Sequence, residues 1–432
     1  MNEKTTDRMS VAERIKWLNR REGPLRSCLR FVRKGWKKLY AQARRRRIKL
    51  DTIVGITGSC GKSTTTNLIS AALQNKEGVY LGLGKNTPTG VRGSVFKMPW
   101  STKIWVQEIS GHTYEHMRES LAFARPTIGV VTTIGLDHVS NYNSTEDIAL
   151  SKGQLIEALP EDVHAILNAD DPQVAAMAER ATANIVTFGK ASNADIRLVS
   201  SKSAYPQLLT LKVQAGDETV DVPTNFVGER WATSVLAALA TAHAMGVSLK
   251  EAATGIATVK PLLFKDDIHT IGGLTFIADT HKAPYWTVPT SIDIVTAAKA
   301  DRKVMIFGTI SDYRGSARNK YVNSAKSALE VADLVIFYGR QAQRVRRLKD
   351  DYPDRLFMFE TYKELMGFLR GALEVGDLIY IKASGADHLE RIVIEFKEPI
   401  ACHRDNCGKL FTCNHCRRLF GRKRWFRRRN QA

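Results

Sequence analysis

A glycine-rich stretch near the start of the chain has the residue types of a phosphate cradle. Gly55-Ile56-Thr57-Gly58-Ser59-Cys60-Gly61-Lys62-Ser63-Thr64 joins an apolar run, Thr52–Thr57, to a helical pattern over Ser63–Gln74. Glycines let backbone amides wrap phosphate oxygens, a helix N-terminus adds its dipole, a lysine reaches the terminal phosphates, and a serine hydroxyl holds magnesium. Thr57, Gly58, Ser59, Cys60, Gly61, Lys62, Ser63 and Thr64 are therefore candidate ATP-binding residues, with Lys62 a catalytic cation and Ser63 a Mg2+ ligand. The spacing is not the common G-x4-G-K-[ST] form, because Gly55 stands one residue too early.

A second chemical cluster lies at the other end. Cys402, Cys407, Cys413 and Cys416 place four thiols within 15 residues, a set suited to tetrahedral Zn2+ and to stapling a small polar segment. The Cys-x2-Cys half is the specific element, and His403 and His415 are substitute ligands. Free thiols and an iron–sulfur cluster are the competing readings. Behind them come Arg417, Arg418, Arg422, Lys423, Arg424, Arg427, Arg428 and Arg429, with Phe420, Trp425 and Phe426 interleaved. Such a mixture serves nucleic acid through phosphate contacts and stacking, or an anionic lipid surface.

The elements that must position these groups follow from the pattern of apolar runs. Thr52–Thr57, Ile104–Glu108, Thr127–Thr133, His164–Asn168 and Asn184–Phe188 are short, bounded by turn or charged residues, and separated by helical stretches. Strands of a parallel α/β sheet buried on both faces look like this. Ala194–Val222 shifts to period two, which predicts an antiparallel hairpin region, and Trp231–Met245 predicts a helix. A second α/β unit is predicted from Leu274–Ala278, Lys303–Phe307, Leu334–Tyr338, Arg355–Phe359 and Leu378–Lys382. The boundary between the two units is placed near Lys260-Pro261.

At 432 residues the chain has room for two or three domains, and its 44% hydrophobic and 25% charged residues describe a globular protein. No apolar run approaches the length of a membrane span, and the charged start lacks the apolar core of a secretory signal. The net charge of +20 is concentrated at the ends: 17 Lys/Arg against 4 Asp/Glu in residues 1–50, and 10 against 2 in residues 398–432. The body between is nearly neutral, so the charge concerns partners rather than fold. Leu25, Cys28, Leu29, Val32, Trp36, Leu39 and Tyr40 recur at helical spacing among Arg26, Arg30, Arg33, Lys34, Lys37 and Lys38. That is a basic amphipathic helix, fit for an anionic membrane, for docking on the protein's own body, or for an anionic polymer. Six cysteines, four of them clustered, indicate a reducing, cytoplasmic setting.

The form T-G-x-x-G-K-[ST]-[ST] resembles the Mur ligase superfamily, and further stretches agree in order over about residues 52–396. They are Lys85-Asn86-Thr87-Pro88-Thr89-Gly90, Val106-Gln107-Glu108-Ile109-Ser110, Val130 to His138, Ile148 to Gly153, Leu167 to Pro172 and Gly376 to Gly385. Among members the chain looks most like the MurF type. The resemblance implies a P-loop central domain with a parallel sheet, followed by a Rossmann-like C-terminal domain. It also implies ADP-forming amide synthesis: a carboxylate takes the γ-phosphoryl group, and an amine then displaces phosphate. On the same basis Glu108, His138 and Lys152 are catalytic and Mg2+-binding residues, Lys152 being the lysine carbamylated in many members. Lys265 and Asp279 contact ATP, and Asn86, Lys382 and Ser384 contact substrate.

The sequence departs from the family on the nucleotide side. Gly228-Glu229-Arg230-Trp231 and Ala278-Asp279-Thr280-His281-Lys282 lack the family's asparagines, and Lys265 stands for an arginine. A basic segment of about 50 residues precedes the first strand, expected to be too short and too polar for a UDP-sugar domain, so the poly-γ-glutamate and cyanophycin synthetase types are the nearer functional analogy. The expected organisation is a basic arm (1–50), an ATP-binding central domain (51–259), a C-terminal Rossmann-like domain (260–397) and a zinc tail (398–432). The expected activity is amide-bond formation between a carboxylate acceptor and an amino acid or peptide, on a peptide-like or polymeric envelope-related substrate. The expected place is the cytoplasm, at the inner face of the cell membrane through the arm. The alternative is a nucleic-acid-binding P-loop ATPase that uses the tail and arm for recognition.

Overall fold

A computed structural model describes residues 24–110, 113–137, 141–409 and 412–421. The first unit is built on β1 (Thr52–Thr57), β2 (Val79–Gly82), β3 (Ile104–Glu108), β4 (Ile128–Val131), β5 (His164–Asn168) and β6 (Asn184–Gly189), extended by β7 (Ile196–Ala204), β8 (Gln207–Ala215) and β9 (Glu218–Pro223). Their order is β2-β3-β1-β4-β5-β6-β7-β8-β9, parallel from β2 through β7 and antiparallel across β7, β8 and β9. β1 is apolar throughout because both its faces are covered. Helices Lys62–Ala72, Ala232–Ala244 and Leu249–Ala257 pack one face, while Pro88–Lys97, Tyr114–Ala124 and Thr145–Glu157 pack the other. Strand order runs outward in both directions from β1, so the carboxyl ends of β1, β3 and β4 open onto one crevice. That is where an open parallel sheet binds its ligand.

The second unit is a six-stranded sheet of β10 (Lys265–Ile271), β11 (Leu274–Asp279), β12 (Lys303–Phe307), β13 (Leu334–Tyr338), β14 (Leu356–Phe359) and β15 (Leu378–Lys382), ordered β10-β11-β15-β12-β13-β14. All neighbours are parallel except β10 and β11. The register sets Asp279 opposite Lys382 and Lys382 opposite Phe307, so these strand ends also finish level with one another.

The strands read from apolar runs are present within a residue or two, apart from Thr127–Thr133, which is paired only over Ile128–Val131. β2 and β10 escaped the reading. β2 is four residues at a sheet edge, three of them half-buried, and β10 is polar in sequence (Lys-Asp-Asp-Ile-His-Thr-Ile). The basic helix spans Pro24–Arg47, and its last turns dock on the first unit. Arg44 donates to the carbonyls of Val95 (2.8 Å) and Met98 (2.6 Å) and stacks over Trp100, while Arg45 donates to Ala124 O at 3.2 Å. These are terminal carbonyls of two helices, which a cation satisfies well. Upstream, Val32, Trp36 and Leu39 remain exposed.

The helix that starts at the P-loop is fixed by a very close crossing. A Cβ on Gly255 would lie 2.0 Å from Ala71 O, so backbone meets backbone there. Gly255→Ala is expected to push the helices apart and cost about 1–3 kcal/mol, read as a lowered midpoint in denaturant unfolding.

Candidate active site

Backbone geometry forms the loop after β1 into a cradle. Gly58 (φ 143°) and Gly61 (φ 80°) occupy conformations that suit glycine, and each is also hemmed in. A Cβ on Gly58 would meet Thr132 Oγ1 at 2.0 Å, and one on Gly61 would meet Ser234 Oγ at 2.8 Å. Gly61 caps the helix Lys62–Ala72, whose first amides point into the loop. The β4 loop braces the cradle from the side. Thr132 Oγ1 donates to Cys60 O (2.8 Å), Ser59 Oγ donates to Gly135 O (2.9 Å), and Gly135 N donates to Ser59 Oγ (3.0 Å). Asp171 holds the same loop, accepting from Thr133 Oγ1 (2.8 Å) and Ile134 N (2.7 Å). Thr57 Oγ1 and Thr65 Oγ1 are buried here without a hydrogen-bond partner among the described residues.

Charged side chains converge on this loop. Lys62 is 8% exposed, and its Nζ donates to Gly58 O. Glu108, 1% exposed at the end of β3, accepts from Gly84 N at 2.8 Å. Lys152 is buried on the helix Thr145–Glu157. Burial, with the Lys62 ammonium as the next cause, brings its pKa down to about 7. Burial and then Lys282 likewise lower Lys62, against the opposing pull of Asp137 and Glu108. Lys282, from the second unit, reaches Asp137 Oδ1 at 3.3 Å. Lys265, half-buried at the start of β10, is lowered by burial while feeling Glu108 and Asp279. Four lysines from two units therefore share one crevice with Glu108 and Asp137.

The two units are held across that crevice by further contacts. Trp286 Nε1 donates to Leu136 O at 3.0 Å, and a Cβ on Gly135 would collide with the same indole. Arg314 donates to Tyr142 O and Asn143 O. Deeper in, Arg230 pairs with Asp266 (Nε to Oδ2, 2.6 Å) and with Asp279 (Nη2 to Oδ2, 2.8 Å), and lies over the Trp231 ring. Lys382 Nζ donates to Asp279 Oδ2 at 2.6 Å. Tyr380 OH and Trp231 Nε1 complete the shell of Asp266 at 2.7 and 2.9 Å. Burial alone would raise the Asp279 carboxyl, but Lys382 and Arg230 hold it below its usual range.

The structure thus brings together Thr57 to Thr64, Glu108, Lys152, Lys265 and Asp279. Asp279 and Lys382 are engaged with each other, and Ser384 N donates to Asp387 Oδ2 at 3.0 Å. Asn86 lies half-buried beside β3, its carbonyl accepting from Ser110 N at 2.9 Å. His138 lies outside the described residues, as does the tail beyond Gly421. Sequence reasoning missed Arg230, Asp266 and Asp137. Arg230 stood in plain view as the residue replacing a family asparagine, but its partner Asp266 is 36 residues away. Cys402, Cys407, Cys413 and Cys416 line one small cavity together with His388.

A glycine cradle at the carboxyl edge of a parallel sheet, closed by a second α/β unit that contributes lysines, defines a nucleotide-binding P-loop architecture of two units. Residues 56–242 match the Mur ligase middle domain, and this segment is a Mur ligase middle domain. The chain is 31% identical over 237 residues to the UDP-N-acetylmuramoyl-tripeptide–D-alanyl-D-alanine ligase of Mycobacterium bovis, covering 54% of this chain and 46% of that one. It thus spans about half of that relative's length. The ligase of the same name from Bacillus subtilis is 26% identical over 354 residues, covering 80% of this chain and 76% of the relative. The MurF ligase of Thermotoga maritima, solved in complex with ADP, has the same fold, with a TM-score of 0.73 at 21% identity over 84% of each chain.

The Arg230 network carries a measurable load. Arg230→Met leaves the fully buried Asp266 carboxylate unpaired and is expected to destabilise the protein by about 3–5 kcal/mol. Adding Asp266→Asn should recover part of that loss. A double-mutant cycle in denaturant that comes out additive would show the pair to be unimportant.

Proposed function

We propose that the chain is an ATP-dependent, ADP-forming carboxylate–amine ligase acting on a peptide-like or polymeric, envelope-related substrate. The observation that carries this reading is the gathering of Lys62, Lys152, Lys265 and Lys282 at the mouth of the glycine cradle. Phosphoryl transfer builds charge on oxygens and asks the protein for positioned cations rather than a nucleophile. The acceptor carboxylate oxygen attacks the γ-phosphorus as the bond to the β-phosphate oxygen breaks, releasing ADP and leaving an acyl phosphate. The amine nitrogen then attacks the acyl carbon, inorganic phosphate departs, and the nitrogen loses a proton. Lys62 holds the β- and γ-phosphates during the phosphoryl transfer, and Lys265 and Lys282 face them from the second unit. Asn86 and Ser384 belong to the substrate side. Asp279 and Lys382, tied to each other and to Arg230, set the position of the β11 and β15 ends.

The residues fit a magnesium ion, since Glu108 is a buried carboxylate within electrostatic reach of Lys62 and the Thr57 and Thr65 hydroxyls beside the cradle have no partner among the described residues. Ser63 and Glu108, joined by His138, would hold it, and it would neutralise phosphate oxygens as a Lewis acid. Lys152 is the natural carbamylation site, because an amine with a pKa of about 7 is half free base at neutral pH. The ammonium first loses a proton; the free amine nitrogen then bonds to the carbon of carbon dioxide and sheds a second proton, so a cation becomes an anion.

The test is phosphate release from ATP across amino acids, dipeptides and cell-wall precursors, with magnesium and bicarbonate present. Release should require both a carboxylate and an amine, and Lys62→Ala should lower it by about 10²–10³-fold. The free-amine fraction of Lys152 rises with pH through about 7, so bicarbonate should stimulate more at pH 8 than at pH 6. Release driven by DNA or RNA, with no requirement for an amine, would support the nucleic-acid ATPase instead.

We place the enzyme at an anionic membrane surface through its arm. The support is the exposed face of Val32, Trp36 and Leu39, flanked by Arg33, Lys37 and Lys38. Among the described residues no helix is long and apolar enough to cross a membrane. Trp36→Asp should abolish co-sedimentation with anionic vesicles, and equal binding by the variant would remove this assignment. The tail is assigned a structural Zn2+ held by its clustered thiolates.

A further inference from the structure

The cluster at the end of the second unit contains a residue that the tail's own cysteine spacing does not reveal. His388 follows β15 in the loop Ser384–His388, with φ at 56°, and is 2% exposed. Its Nδ1 faces Glu390 Oε1 at 3.4 Å, and its Nε2 lies 3.2 Å from Cys407 Sγ. Glu390 is also buried, and the same Oε1 accepts from Cys413 N at 2.8 Å. Donor atoms of His388, Glu390 and Cys413 all fall within 4.8 Å of one another. A carboxylate that accepts from Nδ1–H fixes the tautomer and leaves the Nε2 lone pair aimed at the thiols, as in carboxylate–histidine–zinc arrangements. Cys413 opens the short turn Cys413–His415, Cys416 directly follows it, and both are buried. Cys402 and Cys407 are both half-buried, but Cys407 Sγ is the one against His388 Nε2, while Cys402 is anchored through its carbonyl, which accepts from Arg391 at 3.4 Å.

We propose that the zinc centre consists of Cys407, Cys413, Cys416 and His388, with Glu390 as a positioning residue and Cys402 outside the ligand set. This rests on the tail binding zinc at all. Three thiols lose protons on binding and the imidazole stays neutral, giving a centre of net charge −1, with the Lys409 ammonium 3.8 Å from Cys416 Sγ. The consequence is a tether between the tail and the catalytic body. His388 adjoins Asp387, which accepts from Ser384 N (3.0 Å), Thr309 N (2.7 Å) and Thr309 Oγ1 (2.6 Å). The metal would therefore hold the loop that follows Lys382 and carries the substrate-side Ser384.

The test uses the full chain, purified under reducing conditions, with metal analysis and cobalt substitution. One zinc per chain is expected, retained by Cys402→Ser, His403→Ala and His415→Ala. It should be lost in His388→Ala and regained in His388→Cys, whose cobalt spectrum should shift to that of four thiolates. Glu390→Gln should weaken zinc binding about 10–100-fold while leaving the cobalt spectrum of the native ligand set. Full zinc in His388→Ala, or its loss in Cys402→Ser, would overturn the ligand assignment and leave a zinc tail standing. No zinc, or iron with sulfide in its place, would overturn both.

Discussion

Buried ammonium groups within electrostatic reach of one another are the constraint around which the crevice is built. Removing water from a cation is costly, and a like charge nearby adds to the cost. Lys62 and Lys152 meet both conditions, which is why both are pushed toward the neutral amine. The nearby carboxylates do not cancel the excess. Asp279 is committed to Arg230 and Lys382, and Glu108 has its own amide donor. A polyphosphate would relieve this imbalance directly, and the proposed carbamylation of Lys152 would relieve it further by replacing a cation with an anion. The same electrostatics that make the ligand-free site costly make it selective for anionic ligands.

Holding those charges close requires two sheets to deliver their strand ends to one place. In the first unit, β1, β3 and β4 supply the cradle, Glu108 and the loop to Asp137. In the second, the register of β11 and β15 brings Asp279 beside Lys382. Arg230 then spans the units and neutralises two aspartates, one of them fully buried. Lys282 with Asp137, Trp286 with Leu136 O, and Arg314 with the 142–143 carbonyls are the smaller bonds around it. A site shared by two units depends on such contacts, since Lys62 and Lys152 come from one unit and Lys265 and Lys282 from the other.

Much of this was legible in the sequence, for local reasons. Doubly buried parallel strands are continuous apolar runs, so β1, β3, β5, β12, β13 and β15 announce themselves. The P-loop is a contiguous string whose glycines, lysine and serine each have a required position. What could not be read was nonlocal. Arg230 looked like the loss of an asparagine, because nothing in Gly-Glu-Arg-Trp reveals that Asp266 and Asp279 wait in another unit. Asp137 stood in the stretch Val130 to His138, but its pairing with Lys282 spans 145 residues and could not be read there. His388 was invisible for the same reason: it lies outside the cysteine segment and joins it only through folding. The arm was read as an amphipathic helix, and the docking of Arg44 and Arg45 onto carbonyl ends required the structure.

The central claim is that a carboxylate, and not water, receives the γ-phosphoryl group. It is tested most directly by following oxygen from an acceptor whose carboxylate is labelled with heavy oxygen. An acyl-phosphate route predicts one labelled oxygen in each phosphate released, in step with amide formed. Phosphate whose new oxygen comes from solvent would contradict the account and leave an ATPase in its place.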